Sequence, residues 1–218
     1  MYLILLGAPG SGKGTQAQVL AQRFAWSHIS TGGMLREAVA TGSPLGKTAK
    51  EYMDRGALVP DELVIAMLVQ RIQRDDCRDG FVLDGFPRNL AQAQALDRAL
   101  AEAGKRLDLA LNVTVPDEEL VRRLGGRWLC RNCGAIYHEV SNPPRVAGKC
   151  DKCGNDLYQR DDDKPETVRA RLEQQKPATY LLDYYRKQGR LVDVEGSRPL
   201  EAVTEAILAI IAPAARKS

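Results

Sequence analysis

The 218-residue sequence lacks a long hydrophobic run, a strong excess of either charge and any internal repeat. A membrane-spanning helix needs about 18 or more consecutive apolar residues, so no membrane span is expected. The apolar run at the N-terminus is too short for a signal peptide and leads directly into a glycine-rich loop, which favours the cytoplasm. Lys and Arg total 31 against 28 Asp and Glu, and a formal charge of +3 does not by itself indicate a nucleic-acid surface.

The most informative motif that is present is GAPGSGKGT, at residues 7–15. It follows an apolar run at 2–6 that predicts a buried strand, and it precedes residues 13–24, whose apolar positions recur with helical spacing. A turn of this kind points backbone N–H groups at an anion near the positive end of the helix. This context favours a phosphate-binding loop over a flexible turn that happens to contain lysine.

The spacing of Gly7, Gly12 and Lys13 fits the Walker A pattern with one departure. Gly14 stands where the general motif has Ser or Thr, and the hydroxyl comes one residue later, at Thr15. Lys13 adds a mobile positive charge to the backbone N–H groups of the loop.

Four of the five cysteines form two C-x-x-C pairs separated by 16 residues, namely Cys130, Cys133, Cys150 and Cys153. This spacing is typical of a four-thiolate zinc site, whereas two disulfides would require an oxidising compartment. Zinc with four thiolates has no open position, so a structural role is expected, and thiolate chemistry leaves iron or cobalt open as well. The region between the pairs predicts a small antiparallel unit held by metal. Cys77 is expected to be a half-buried small residue, not a nucleophile.

Strand-like apolar runs alternate with helical patterns along the rest of the chain. After the first strand, the predicted strands are 81–84, 109–113 and 191–194, and the predicted helices are 61–74, 89–103, 117–124, 163–188 and 199–212. This order predicts an α/β fold with a parallel sheet wrapped by helices. Two segments interrupt the alternation, 30–59 with two short helices and 126–163 with the cysteines, and both are predicted to be insertions at the ligand edge. Pro177 is expected to kink or divide its helix.

Five motifs, in this order along the chain, resemble those of the adenylate kinases, specifically the long-lid bacterial form with zinc in its lid. They are residues 7–15, STGGMLR at 30–36, LDGFPR at 83–88, GR at 126–127 and RDDD at 160–163. The resemblance spans essentially the whole chain and implies a P-loop NTPase-type sheet with a small helical NMP-binding insertion and a zinc-ribbon-like β lid. The implied domains are a core of residues 1–29, 60–125 and 164–218, an AMP-binding flap at 30–59 and a lid at 126–163. The implied reaction is ATP + AMP ⇌ 2 ADP with Mg²⁺.

The resemblance also assigns site residues. For ATP it implies Gly10, Ser11, Gly12, Lys13, Gly14, Thr15, Arg123, Arg127, Tyr137, His138 and Arg198. For AMP it implies Thr31, Arg36, Leu58, Val59, Gly85, Arg88, Gln92, Arg160 and Arg171. It gives catalytic roles to Lys13, Asp84, Arg88, Arg123, Arg160 and Arg171.

The residue chemistry agrees with phosphoryl transfer, which needs charge neutralisation and in-line positioning more than an acid or a base. A monophosphate with a second pKa of about 6 is largely ionised near neutrality, so its oxygen attacks without deprotonation. Guanidinium groups suit this task because they grip phosphate oxygens in pairs. Arg88, just beyond a strand, favours a functional role, whereas Arg122 and Arg169 are expected on solvated helix faces.

Asp84 ends a strand-like run and, by resemblance, holds the water shell of magnesium, with capping of the next turn as the alternative. The amide of Gln92 offers a donor and an acceptor to an adenine edge. His138 and Arg198 match positions beside the ATP adenine, where flat groups stack, although a lid histidine equally fits a plain surface position. The acidic run at 161–163 is expected to stabilise a helix start, and by resemblance its last two residues pair with lid arginines.

Gly33 is a clear departure from the family pattern, which has an acidic residue there that helps to orient magnesium-bound water. Asp84 is therefore expected to hold the metal's shell nearly alone, with Thr15 and the nucleotide phosphates completing it. The consequence expected is a higher requirement for free magnesium.

Two other functional classes are possible. A kinase for UMP or CMP would share the loop and most arginines, but its lid is usually short and without cysteines, and Gln92 also argues against it. A zinc-ribbon nucleic-acid-binding ATPase would need a basic stripe with interleaved aromatics, yet the cysteine region carries Glu139, Asp151 and Asp156. The partners expected are ATP and AMP or ADP, with no nucleic acid and no membrane, and the chain is expected to be a monomer.

Overall fold

The computed structural model describes residues 1–215, apart from the side chains at 165–166 and 213–215. Residues 216–218, which belong to the predicted core range 164–218, lie outside the described residues.

Eight strands form two sheets, and their bounds are β1 Tyr2–Leu6, β2 Ser27–Ser30, β3 Phe81–Asp84, β4 Leu109–Thr114, β5 Arg127–Cys130, β6 Ile136–His138, β7 Leu157–Tyr158 and β8 Leu191–Glu195 among the described residues. The helices in that same part of the chain are α1 Lys13–Phe24, α2 Thr31–Ala40, α3 Pro44–Met53, α4 Asp61–Ile72, α5 Leu90–Glu102, α6 Asp117–Gly125, α7 Pro165–Gln175, α8 Thr179–Lys187 and α9 Leu200–Ala215. Short 3₁₀ turns lie at Asp75–Cys77 and Asp161–Asp163.

The larger sheet has five parallel strands in the order β2-β3-β1-β4-β8. Successive side chains of a strand point to opposite faces, so Ile4 and Leu6 of β1 enter one apolar core while Leu3 and Leu5 enter the other. Helices cover both faces, which confirms the predicted parallel sheet wrapped by helices. Parallel strands end together, and this brings the loop after β1 beside the ends of β3 and β4, with β2 on the far side of β3.

The strand β2 was not among the predicted strands. Its sequence, Ser27-His28-Ile29-Ser30, has one buried apolar residue and so gives no strand-like run. The strand forms at the edge of the sheet through parallel pairing with β3, in which Ser30 lies opposite Asp84. Edge strands are held by one neighbour and carry fewer buried side chains, and a short polar sequence is therefore compatible with the position.

One helix boundary and the burial of one cysteine also differ from the predictions. The helix predicted at 163–188 is divided into α7 and α8, as Pro177 led us to expect, and it begins at 165 because residues 161–163 form a 3₁₀ turn. Cys77 was expected to be half-buried, but it is fully buried within the apolar core that contains Ile4 and Leu6. The segment 30–59 forms the two expected helices, α2 and α3, and Ser30 caps α2 by accepting a hydrogen bond from the N–H of Gly33.

The cysteine segment forms the smaller sheet, which is antiparallel with the order β6-β5-β7. Its own buried cluster is small and includes Cys130, Cys150, Ala135 and Tyr137. A unit of this size buries too little apolar surface to hold itself together without an additional link. Among the helices that the structure describes, none has the length and apolar character needed to cross a membrane.

Candidate active site

The loop between β1 and α1 is built to hold an anion. Gly12 immediately precedes α1 with a φ of 93°, a left-handed conformation that side chains rarely adopt. Within the described chain, no side chain caps the first N–H groups of this 12-residue helix. Unpaired N–H groups at the positive end of a helix are suited to a phosphate.

Gly14, the residue that departs from the general Walker A pattern, lies against Asp84 at the end of β3. A Cβ atom at position 14 would be 3.0 Å from Oδ2 of Asp84. A serine or threonine there would therefore press on the carboxylate, which gives a steric reason for glycine at this position.

Lys13 lies in the interior of the loop, where its Nζ donates a hydrogen bond to the carbonyl of Ala8 over 3.1 Å. Burial, together with the positive charge of Arg88, lowers the pKa of Lys13 to about 7 although the negative charge of Asp84 opposes the shift. The ammonium group therefore lacks a full countercharge, which a bound phosphate would supply.

Asp84 has an oxygen that fits a role in metal hydration, because its Oδ1 is buried and finds no hydrogen-bond partner among the described residues. Burial alone would raise the pKa of Asp84, but nearby His28 and Lys13 hold it below its usual range. Nε2 of His28 lies 3.9 Å from Oδ2 of Asp84. Sequence reasoning missed His28 because it overlooked the strand β2 that carries it.

A cleft enclosing about 560 Å³, here called the acceptor cavity, lies between the sheet edge, α2, α4 and α7. Its lining includes all nine residues predicted for AMP, namely Thr31, Arg36, Leu58, Val59, Gly85, Arg88, Gln92, Arg160 and Arg171. Apolar side chains of Leu35, Met53 and Val64 complete one wall. The cavity therefore joins an apolar surface to a set of cations, as a nucleotide requires.

The polar groups at one end of the acceptor cavity belong to a tightly hydrogen-bonded set. Gln92 accepts from the N–H of Arg88 over 2.8 Å and donates to Asp61 over 2.6 Å. Asn89 donates to both oxygens of Asp61 and caps α5 by accepting from the N–H of Gln92. Asp61 and Asn89 were not predicted as site residues, because only the fold brings α4 beside α5.

Arg88 connects the acceptor cavity to the phosphate loop. Its Nε donates to the carbonyl of Gly85 over 2.8 Å, and its Nη1 donates to Oε1 of Gln175 over 3.0 Å. Burial lowers the pKa of Arg88. A second cavity of about 260 Å³ is lined by both Lys13 and Arg88, so these two cations face one space. Gln175, which sequence reasoning missed, lines both cavities and donates to the carbonyl of Gly56 over 2.6 Å.

Asp162 and Asp163 bind three of the predicted arginines. The carboxylate of the fully buried Asp163 accepts two hydrogen bonds from Arg127, at 2.8 and 2.5 Å, and one from Arg171, at 2.6 Å. The carboxylate of Asp162 accepts two from Arg160, at 2.9 and 2.8 Å. Burial alone would raise the pKa of Asp162, but Arg160 and Arg171 hold it well below its usual range. The pairing expected from the resemblance is thus present in this structure.

Arg36 and Arg171 differ in how far their charges are compensated. Burial lowers the pKa of Arg171 to about 10 although Asp162 opposes the shift. Burial lowers the pKa of Arg36 to about 9, and the charge of Arg160 adds to the shift. The side chain of Arg36 makes no hydrogen bond within the described part of the chain, so its whole guanidinium group is open to a ligand.

The remaining residues predicted for ATP lie beyond the phosphate loop, and we call this region, with the loop, the donor side. Arg123 donates to Glu119 over 2.7 Å and to the carbonyl of Gly196 over 2.9 Å. The half-exposed Arg198 approaches Glu195 to 3.8 Å. Arg122 forms a surface ion pair with Glu119, as expected for a solvated helix face.

Two lid residues already have polar partners, and one of these partners lies outside the lid, since Nε2 of His138 is 3.3 Å from the carbonyl oxygen of Arg122. Nδ1 of His138 accepts hydrogen bonds from the N–H groups of Val140 and Ser141 at 3.1 and 3.2 Å. Tyr137 is buried, and its hydroxyl accepts from the N–H of Asp151 over 2.8 Å. The ring of Tyr137 therefore belongs to the lid core and is not available to stack on a base, because burial against the cysteines holds it there.

The four predicted metal ligands converge. The sulfur atoms of Cys130, Cys133, Cys150 and Cys153 all lie within 4.8 Å of one another. Three of the sulfur–sulfur distances are 3.4, 3.5 and 3.5 Å. Zinc with four sulfurs at about 2.3 Å requires edges of about 3.8 Å, so the cluster fits a tetrahedral ion with a small expansion.

Comparisons with known proteins agree with the geometry. The family model described as "Adenylate kinase" matches residues 5–190. Curated proteins named adenylate kinase are similar over nearly their whole length: one from Archaeoglobus fulgidus is 57% identical over 97% of this chain and 98% of its own. Another from Agathobacter rectalis is 55% identical over 97% of this chain and 99% of its own. A third from Thermodesulfovibrio yellowstonii is 53% identical over 97% of this chain and 99% of its own. The chain belongs to the adenylate kinase family, whose reaction is the reversible transfer of a phosphoryl group from ATP to AMP, giving two ADP.

Proposed function

We propose that this chain performs the family's reaction with AMP in the acceptor cavity and ATP on the donor side. The observation that carries the proposal is that the donor side and the acceptor cavity meet at Lys13 and Arg88. Both side chains line one space, with the phosphate loop on one flank and the acceptor cavity on the other. A phosphoryl group passing between two nucleotides needs such a place, with cations on both sides.

AMP then lies with its base towards Gln92 and its phosphate on Arg36, Arg88 and Arg171. Thr31, Leu58, Val59 and Gly85 supply the walls, and Arg160 approaches from the lid. ATP phosphates bind the N–H groups of residues 10–15 and Nζ of Lys13, while Arg123, Arg127, His138 and Arg198 approach from the rim of the donor side. Tyr137 contacts ATP through its backbone, because its ring is buried in the lid.

Catalysis by these residues consists of neutralising and aligning the phosphates. The ionised oxygen of AMP attacks the terminal phosphorus of ATP, and ADP leaves with the pair of electrons from the broken P–O bond. Lys13, Arg88, Arg123, Arg160 and Arg171 stabilise the charge that spreads over the transferring group. Magnesium supplies further charge neutralisation when bound with ATP, and Oδ1 of Asp84 is placed to accept from its water shell.

The lid and the flap provide the moving parts. We assign the core to 1–29, 60–125 and 164–218, the AMP-binding flap to 30–59 and the lid to 126–163. The four cysteines hold a structural zinc ion that stabilises the lid fold, and this ion takes no part in the chemistry. The protein acts as a monomer in the cytoplasm, with ATP and AMP or ADP as its partners and with neither nucleic acid nor membrane.

A coupled assay with AMP, UMP, CMP and GMP as acceptors tests the proposal. AMP is expected to give the highest kcat/KM, and ADP is expected to disproportionate without an added protein. More efficient turnover of UMP or CMP would replace the proposal with a kinase for that nucleotide. Metal analysis of reduced protein is expected to give one zinc per chain, and a gel shift with nucleic acid is expected to be negative.

A further inference from the structure

Asp61, Asn89 and Gln92 form a closed hydrogen-bond network at the base end of the acceptor cavity. Nε2 of Gln92 donates to Oδ1 of Asp61 over 2.6 Å, and Oε1 accepts from the N–H of Arg88 over 2.8 Å. Nδ2 of Asn89 donates to both oxygens of Asp61, at 2.9 and 2.8 Å. Because Gln92 is only 2% exposed, protein groups and not water decide how its amide is oriented.

The partners of Gln92 fix which way its amide faces. An ionised carboxylate such as Asp61 only accepts hydrogen bonds, and the N–H of Arg88 only donates. Turning the amide over would set oxygen against oxygen at Asp61 and N–H against N–H at Arg88. Buried polar groups left unpaired in this way are strongly disfavoured, so the orientation is held.

The fixed amide still has one N–H and one oxygen lone pair to offer, and Gln92 lines the cavity. A 6-aminopurine presents an amino donor beside a ring-nitrogen acceptor on its Watson–Crick edge. A 6-oxopurine presents a carbonyl acceptor beside an N–H donor, which is the reverse pattern. The amide as held here therefore complements the first edge with both of its free sites and the second with neither.

We propose that Asp61 is a positioning residue that makes the cavity select a 6-aminopurine monophosphate over its 6-oxo counterpart. The inference rests on the proposed placement of AMP, and it adds a residue on α4 that is not among the lining residues of the acceptor cavity. Asn89 supports the role because it holds both oxygens of Asp61 and also caps α5, which carries Gln92. The carboxylate is thus fixed in place before any nucleotide arrives.

The test compares AMP with IMP, which differ only in the 6-position and the adjacent ring nitrogen. Dissociation constants are measured by calorimetry without ATP or metal, and kcat and KM are measured in the coupled assay. In Asp61→Ala the preference for AMP over IMP is expected to fall about tenfold, the value of one charge-assisted hydrogen bond. The kcat with saturating AMP is expected to stay within about twofold, since the phosphate-binding cations are unchanged.

Glu62→Ala is the matched control, because Glu62 carries the same charge in the same first turn of α4 and is exposed. It is expected to leave the preference unchanged. Should Asp61→Ala fail to fold, Asp61→Asn keeps the shape but turns an NH₂ group towards either Gln92 or Asn89, and it too is expected to lower the preference.

Each outcome decides between the proposals. Equal weakening of AMP and IMP in either Asp61 variant would reduce Asp61 to structural support and overturn the inference while leaving the proposed function intact. An unmodified protein that binds IMP as tightly as AMP would instead overturn the proposed base recognition by Gln92, and the role of Asp61 would fall with it.

Discussion

In the acceptor cavity Gln92 and Arg88 are held by short hydrogen bonds to Asp61, Gly85 and Gln175 that leave donor or acceptor sites open to a ligand. On the donor side, Arg123 is occupied by protein acceptors, and Lys13 is buried without a full countercharge. If AMP binds as proposed, the groups that select its base are already held in place before the nucleotide binds. Gripping the donor phosphates requires partners to be exchanged or a proton to be gained.

The largest effects are expected from Lys13→Ala and Arg88→Ala, each of which removes a cation from the shared space. Turnover should fall at least about 10²–10³-fold in both, because each charge stabilises the transition state. Lys13→Ala should leave AMP binding unchanged, whereas Arg88→Ala should weaken it, and calorimetry with AMP alone separates the two sides. Arg169→Ala, an exposed position on α7, is the control. Near-normal turnover of Lys13→Ala would remove the loop from the mechanism.

Removing the metal should destabilise the lid and leave the acceptor cavity intact. A structural zinc ion contributes on the order of 10 kcal/mol to a small module, so Cys→Ala at any of the four ligands should lower the melting temperature clearly. AMP affinity should persist, and turnover below the new melting point should persist as well. Cys77→Ala, away from the cluster, should keep one equivalent of zinc. Less than half an equivalent in freshly purified, reduced protein would contradict the site.

Proton uptake should distinguish the two nucleotides. Burial lowers the pKa of Lys13 to about 7, so at pH 8 most of the free protein has lost this proton, and phosphate binding takes it back. Affinity for metal-free ATP should therefore fall as pH rises above 7, by up to about tenfold per pH unit. Burial lowers the pKa of Arg36 only to about 9, so AMP binding at pH 8 should involve little uptake.

Calorimetry at pH 8 in two buffers of different ionisation enthalpy measures this uptake directly. Lys13→Arg keeps its charge and should abolish the buffer dependence with ATP. Buffer-independent heats for ATP in the unmodified protein would show that Lys13 is already protonated and that the two sides do not differ in this respect.

The smallest effect is expected at Gly33, in the first turn of α2. Gly33→Asp should lower the free magnesium needed for half-maximal rate, by up to about tenfold, by restoring an acceptor for metal-bound water. A Cβ there would lie 3.3 Å from Cβ of Ser30, so a small local shift is required. Gly33→Asn controls for that shift without adding charge. Overlapping magnesium titrations would make Gly33 a permissive turn residue.

Features encoded in continuous sequence were predictable. The phosphate loop, the cysteine pairs and four of the five parallel strands follow from local spacing and periodicity, and the resemblance placed nine residues that line one cavity. Residues whose role depends on partners far away in the sequence could not be predicted. Gln92 meets Asp61 across 31 positions and Arg88 meets Gln175 across 87. No local pattern encodes such meetings, and the polar strand β2, with His28, forms only because β3 pairs with it.

The side chain of Gln175 links the segment proposed as the AMP-binding flap to Arg88. Its Nε2 holds the carbonyl of Gly56, on the flap side, while its Oε1 holds Arg88. A flap that swings away by more than an ångström or so breaks the first bond, because hydrogen bonds weaken steeply beyond about 3.2 Å. The amide of Gln175 would then lose one of its two supports, so its bond to Arg88 would hold that guanidinium less firmly. On the proposed assignment of 30–59 as a moving flap, an open site would hold Arg88 less firmly, which would slow transfer of the phosphoryl group of ATP to water.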